Sequence, residues 1–159
     1  MKNKKKEIEE YDNKAKASAA KKKKLDVESN AYSAQELISL LKTAINNDDI
    51  QALEEAISLG ADINEEFYIL DYDGKRNFKG MALHYAAFKG KPNVTRYLLE
   101  IGIVKGPHPN QADKLGITPL LIAATMCHVE VVKLLLDKGV TPNQASEKTG
   151  NTPLLLAAQ

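Results

Sequence analysis

The sequence predicts an all-α fold, in which short helix pairs stack side by side into a solenoid of about three complete repeats plus a partial one. Three observations carry that prediction. The stretch Gly116 to Asn143 reads as two short helices closed by Gly139. Partial copies of it recur on either side, as Leu83-His84-Tyr85-Ala86-Ala87 and Leu154-Leu155-Leu156-Ala157-Ala158 against Leu120-Leu121-Ile122-Ala123-Ala124. The spacing is constant: Ile45 to Gly60, Ala87 to Gly102 and Ala124 to Gly139 are each fifteen residues. Two helices this short cannot cover so wide an apolar surface alone, so each pair needs neighbours of its own kind.

The first thirty-two residues read as a basic low-complexity tail. Residues 1–24 hold ten Lys against four acids, about +6, whereas residues 31–159 hold twelve basic and fifteen acidic side chains, about −3. So polar a segment cannot offset its ordering entropy and is expected to be disordered or transiently helical. The clusters Lys2–Lys6 and Lys21–Lys24 suit a nuclear import signal, or contact with nucleic acid or an anionic membrane through charge alone. No aromatic residues interleave with them, and a solvated tail is the plainer reading.

The repeat domain spans residues 33–159. Ser33 and Glu36 have capping-box spacing, and the helix they open turns Leu37, Leu40, Leu41, Ala44 and Ile45 inward. Asp48 or Asp49 starts the partner helix, which carries Leu53, Ala56, Ile57 and Leu59. This first pair is more polar than the others, as an end repeat facing water needs to be. Residues 65–79 are longer than the repeat requires: Gly60 to Leu83 takes twenty-three residues where Gly139 to Leu154 takes fifteen. Asp73-Gly74 between aromatic-rich flanks predicts an extended β-finger. It concentrates Phe67, Tyr68, Tyr72, Arg76 and Phe78, types that anchor interfaces, although such a finger can equally fold back on its own stack. Gly106-Pro107-His108-Pro109 predicts a rigid exposed loop. Thr118 can cap the next helix, with Pro119 at its first position. In the preceding copy Met81-Ala82 stands where Thr-Pro would, so His84 reads as a structural bridge between backbone groups. Cys127 takes the place of Gly90, at a cost of about 1 kcal/mol if that position has positive φ, and reads as inert. Gly150 to Gln159 begins an incomplete last repeat. An uncapped Leu-rich end invites self-association, whereas a capped array would be monomeric; a fragment of a longer array is therefore expected.

A period near 33 with Thr118-Pro119-Leu120, Val131-Val132-Lys133-Leu134-Leu135-Leu136 and Gly60-Ala61-Asp62-Ile63-Asn64 resembles the ankyrin repeat. The resemblance covers residues 33 to 159 and implies helix pairs joined by β-hairpin fingers, an ankyrin-like solenoid. It also implies that the chain is not an enzyme but a protein-protein interaction module, a scaffold that binds another protein. The contacts it implies are the finger tips and the concave face of the first helices. The tips are Asp73, Lys75 and Arg76, then Asp113, Lys114 and Leu115, then Glu147 and Lys148. The concave face carries Tyr85, Phe88 and Lys89, then Ile122, Thr125 and Met126.

No catalytic, cofactor or metal site is read from the residues. Asp71-x-Asp73-Gly74 begins like a calcium loop, but its glycine comes early and Ala82 stands where a bidentate Glu is required. Ser39-x-x-Lys42 and Lys148-Thr149-Gly150 mimic penicillin-binding motifs but fall inside repeat positions. His84, His108, Cys127 and His128 lack zinc spacing. A single Cys excludes an internal disulfide framework and, with no visible leader, suits an intracellular setting, cytoplasmic or nuclear; delivery into a host cell would also fit. The alternative to an independent scaffold is a partner- or substrate-recruiting segment of a larger enzyme or bacterial effector.

Overall fold

The computed structural model describes residues 32–70, 77–102, 108–146, 150–153 and 155. Six helices lie among them: α1 (Ala34–Asn47), α2 (Ile50–Ser58), α3 (Ala82–Lys89), α4 (Pro92–Gly102), α5 (Pro119–Thr125) and α6 (Val129–Asp137). Two strands, β1 (Phe67–Leu70) and β2 (Asn77–Gly80), form an antiparallel hairpin between α2 and α3.

Local chemistry sets the helix starts. The Ser33 hydroxyl accepts from the Glu36 N–H at 3.3 Å, and the Glu36 carboxylate accepts the Ser33 N–H at 2.7 Å. These bonds hold the Glu36 carboxyl below its ordinary range, the backbone bond contributing most. Asp49 accepts from the Ala52 N–H at 3.1 Å and Thr118 from the Leu121 N–H at 3.2 Å. Pro119 occupies the first turn of α5, as its sequence position predicts.

The helices pair as α1 with α2, α3 with α4, and α5 with α6; α1, α3 and α5 form an inner row, and α2, α4 and α6 an outer one. All of α3 except Lys89 is buried, because it has a pair on each side and the hairpin against its start. The core runs without a break from Leu41, Ile45 and Leu53 through Leu83, Val94 and Leu98 to Leu120, Val131 and Leu135. The expected all-α solenoid is what forms.

Of the fingers, the extended one pairs Phe67 with Gly80 and Ile69 with Phe78. Phe67 and Ile69 are buried while Tyr68 is 57% exposed, so one strand face closes the core and the other meets solvent. The next finger carries no strand among its described residues. It is a tight turn in which the Asp113 N–H donates to the Ile117 carbonyl at 2.9 Å and the Gly116 N–H to the Asp113 carbonyl at 3.0 Å.

Cys127 has φ 57°, in the left-handed region that Gly90 occupies at φ 62° in the preceding pair. Three expected outcomes follow for urea denaturation. Cys127→Gly raises stability by about 1 kcal/mol. Leu83→Ala, at a fully buried position, lowers it by about 3 kcal/mol, whereas Leu136→Ala, 41% exposed, changes it by about 0.5 kcal/mol or less.

Candidate protein-binding face

The face lies where the inner helices meet the hairpin. Lys42 is its centre. Helical spacing puts Gln35, Ile38 and Lys42 on one side of α1, and with Glu66, Phe67 and Tyr68 they line an open groove of about 200 Å³. The Lys42 ammonium donates to the Tyr68 carbonyl at 2.9 Å. It stands 4.9 Å from the Phe67 ring centre and 5.9 Å from that of Tyr85. Partial burial pushes its pKa down from the ordinary lysine value.

Phe67 meets Tyr85 edge to face, with ring centres 5.8 Å apart, and the Tyr85 hydroxyl donates to the Asn46 side-chain oxygen at 3.0 Å. Lys89 lies 5.7 Å from the Tyr85 ring centre and 5.1 Å from that of Phe88. On the outer strand face, Lys79 lies 4.9 Å from the Tyr68 ring, as its directly opposed cross-strand position dictates.

These positions correct part of the expected contact surface. Phe67, Tyr85, Phe88 and Ile122 are 4%, 7%, 3% and 6% exposed. Neighbouring pairs bury them, and each gives the surface at most a ring or side-chain edge. Asp113 is no fingertip contact either. It is buried, and its Oδ1 accepts from the N–H groups of Leu115 and Ile117, both at 2.8 Å. Its side chain holds the turn closed. Tyr68 and Lys114 are exposed and Leu115 and Met126 half-buried. Lys114 approaches Glu66 at 3.4 Å, joining the two fingers with an exposed pair of small energetic weight. Tyr72, Asp73, Lys75, Arg76, Glu147 and Lys148 lie outside the described residues, as do the first thirty-one residues, positions 103–107 and half of the last repeat. Phe78 stands in β2, opposite Ile69.

Several positioning residues carried only a weak sequence signal. Asp48 has φ 54°, unusual outside glycine. From there its carboxylate accepts from the Val94 N–H at 2.9 Å and the Asn93 side chain at 3.0 Å, so the first pair caps a helix of the second. The Asn110 side chain accepts from the Thr141 N–H at 2.8 Å. The sequence shows Asn110 only as part of a Pro-Asn-Gln-Ala run repeated at a shift of 33.

His84 does bridge backbone groups. Its Nδ1 accepts from the Met81 N–H at 3.4 Å, which leaves the proton on Nε2, and Nε2 donates to the Ile117 carbonyl of the next pair at 3.1 Å. Burial pushes its pKa down, while the Ile117 bond and the Asp113 and Glu66 carboxylates oppose that shift. Among the described residues no group of three or more His, Cys, Asp or Glu could hold a metal, and no helix is long and apolar enough to cross a membrane.

A model of ankyrin repeats, three copies, matches residues 19–145. The chain belongs to the ankyrin-repeat family, whose repeats are generally non-catalytic protein-protein interaction modules. Among its relatives is the human neurogenic locus notch homolog protein 4, 43% identical over 77 residues, covering 48% of this chain and 4% of that protein. Alpha-latrotoxin-Lh1a of Latrodectus hasselti is 36% identical over 100 residues, covering 60% and 7%. The E3 ubiquitin-protein ligase XBAT32 of Arabidopsis thaliana is 34% identical over 102 residues, covering 50% and 20%. The chain thus spans a small part of the length of these relatives.

His84 makes stability depend on pH. The unfolded chain takes up a proton near pH 6.5, but the buried native imidazole resists it until lower pH. Below about 6.5 the unfolded state therefore binds more protons, and stability falls with pH until the native imidazole also titrates. His84→Gln, which keeps a donor and an acceptor, should flatten this part of the profile. Urea midpoints of both proteins on either side of pH 6.5 check it.

Proposed function

We propose that this chain binds another protein through its hairpin and the inner face of α1, α3 and α5, acting as a scaffold without chemistry of its own. One observation supports this most directly. The outer strand face presents Tyr68, an exposed aromatic ring with no role in the core, beside a groove that α1 leaves open. Tyrosine in such a place supplies contact area at small conformational cost. Lys114, Leu115 and Met126 extend the surface along the next pair. The single cysteine supports an intracellular setting as part of this reading.

A second reading is favoured by the relatives, in which the matched segment is a small part of a much longer protein, an E3 ubiquitin-protein ligase among them. On that reading the repeats recruit a partner or substrate to activity housed elsewhere in a larger protein. The mass of the natural protein separates the two: a value near 17.5 kDa excludes the second.

The test is capture of the partner by the full-length gene product. Tyr68→Ala combined with Met126→Ala should weaken binding about tenfold or more, with the helical circular dichroism signal unchanged. Retained binding in a folded double variant would overturn the proposed face. Tyr85→Ala with Phe88→Ala is the wrong probe, since both side chains belong to the core and their loss destabilises by about 3 kcal/mol or more.

A further inference from the structure

Ammonium groups and aromatic rings alternate in one connected row, from the outer face of the hairpin across the edge of β1 to the inner helices. Lys79 stands over the Tyr68 ring, and the Tyr68 carbonyl receives Lys42. Lys42 stands over Phe67 and Tyr85, and Lys89 over Tyr85 and Phe88. The row joins the hairpin to α1 and α3. We propose that it takes an acidic, extended segment of a partner protein, whose carboxylates meet Lys42, Lys79 and Lys89 while its backbone lies beside β1. The inference rests on the reading of this face as the partner surface and adds the chemistry of the partner.

Three features favour that occupant. Lys42 is partly withdrawn from water, yet among the described residues its contacts are a neutral carbonyl and ring faces, with no carboxylate bonded to it. A half-buried cation in that state gains more from an incoming anion than a fully hydrated one does. Glu66, the acid lining the same groove, is turned to Lys114. The rings also discriminate between polyanions. Single-stranded nucleic acid needs successive open ring faces on which bases stack, but Phe67 and Tyr85 are 4% and 7% exposed, which leaves Tyr68 as the one open ring of the row. Carboxylates need only the ammonium groups, which the rings hold in place.

The experiment is fluorescence anisotropy of a labelled oligo-glutamate peptide with the full chain, so that the Lys-rich tail is common to every variant. Lys42→Gln with Lys89→Gln should weaken binding roughly tenfold. Lys133→Gln with Lys138→Gln, an equal charge change at exposed positions on and just after α6, should leave it within about twofold. If Lys42→Gln lowers the helical signal, Lys79→Gln with Lys89→Gln carries the test. Absence of binding, or equal loss in both pairs of variants, overturns the proposal. So does an oligothymidylate that binds with the same dependence on Lys42 and Lys89, because the row would then be a nucleic-acid site. A protein partner that is lost with Tyr68→Ala but retained by Lys42→Gln with Lys89→Gln overturns the acidic chemistry alone and leaves the interaction module standing.

Discussion

Each helix pair is completed by the next. The plainest case is His84: buried among apolar residues, it fixes its own helix start through Met81 and reaches across to the Ile117 carbonyl of the following pair. The Ile117 carbonyl also receives the Asp113 N–H, but the buried Nε2–H of His84 has this carbonyl as its acceptor, and a buried donor left without one costs more than the net worth of a made hydrogen bond. The α3 pair is therefore not satisfied without the pair that follows it, and the apolar core follows the same rule, since α3 is nearly all buried by virtue of having neighbours on both sides. Similar side-chain reaches recur along the stack. Asp48 caps α4, the His128 ring bonds the Phe88 carbonyl at 3.1 Å, and Ser146 donates to the Leu115 carbonyl at 3.2 Å. A Cβ at Gly90 would fall 2.4 Å from the His128 ring, so Gly90 meets both a positive φ and a close approach.

This mutual completion explains where the surface chemistry lies. The insertion after α2 exceeds what a connection needs, and its strands spend one face on the core. Phe67 and Ile69 close the start of the inner row, which leaves Tyr68 and Lys79 on the other side of the pleat. Lys42, one helix away, reaches the strand edge and covers the Tyr68 carbonyl. The groove between α1 and β1 is thus lined by polar, aliphatic and aromatic side chains together.

Much of this was legible in the sequence. Ser33 with Glu36, and Thr118 with Pro119, mark helix starts at the places where the structure puts them, because a cap is decided within four residues of chain; of Asp48 and Asp49, between which the sequence does not choose, the structure takes Asp49. Asp73-Gly74 marks a hairpin whose strands form on either side of it. Cys127 in the place of a glycine raises the question of a positive φ, which the structure answers with φ 57°. The candidate contacts were less legible. Tyr85 and Phe88 share a helical face, but a face shows its spacing in sequence and not its neighbours. Asp113 looked like a charged fingertip and instead closes its own turn.

The sequence by itself determined the repeat, its period, the helix ends and the family, since these rest on local bonding and on apolar spacing that any stacked copy must share. Only the tertiary structure decided which aromatic rings are buried and which are surface, that Lys42 lies beside two rings, and that His84, Asp48 and Asn110 bond outside their own repeats. Those facts depend on which atoms of one repeat come within about 3 Å of another. That distance is set by how the pairs stack, and no single repeat encodes it.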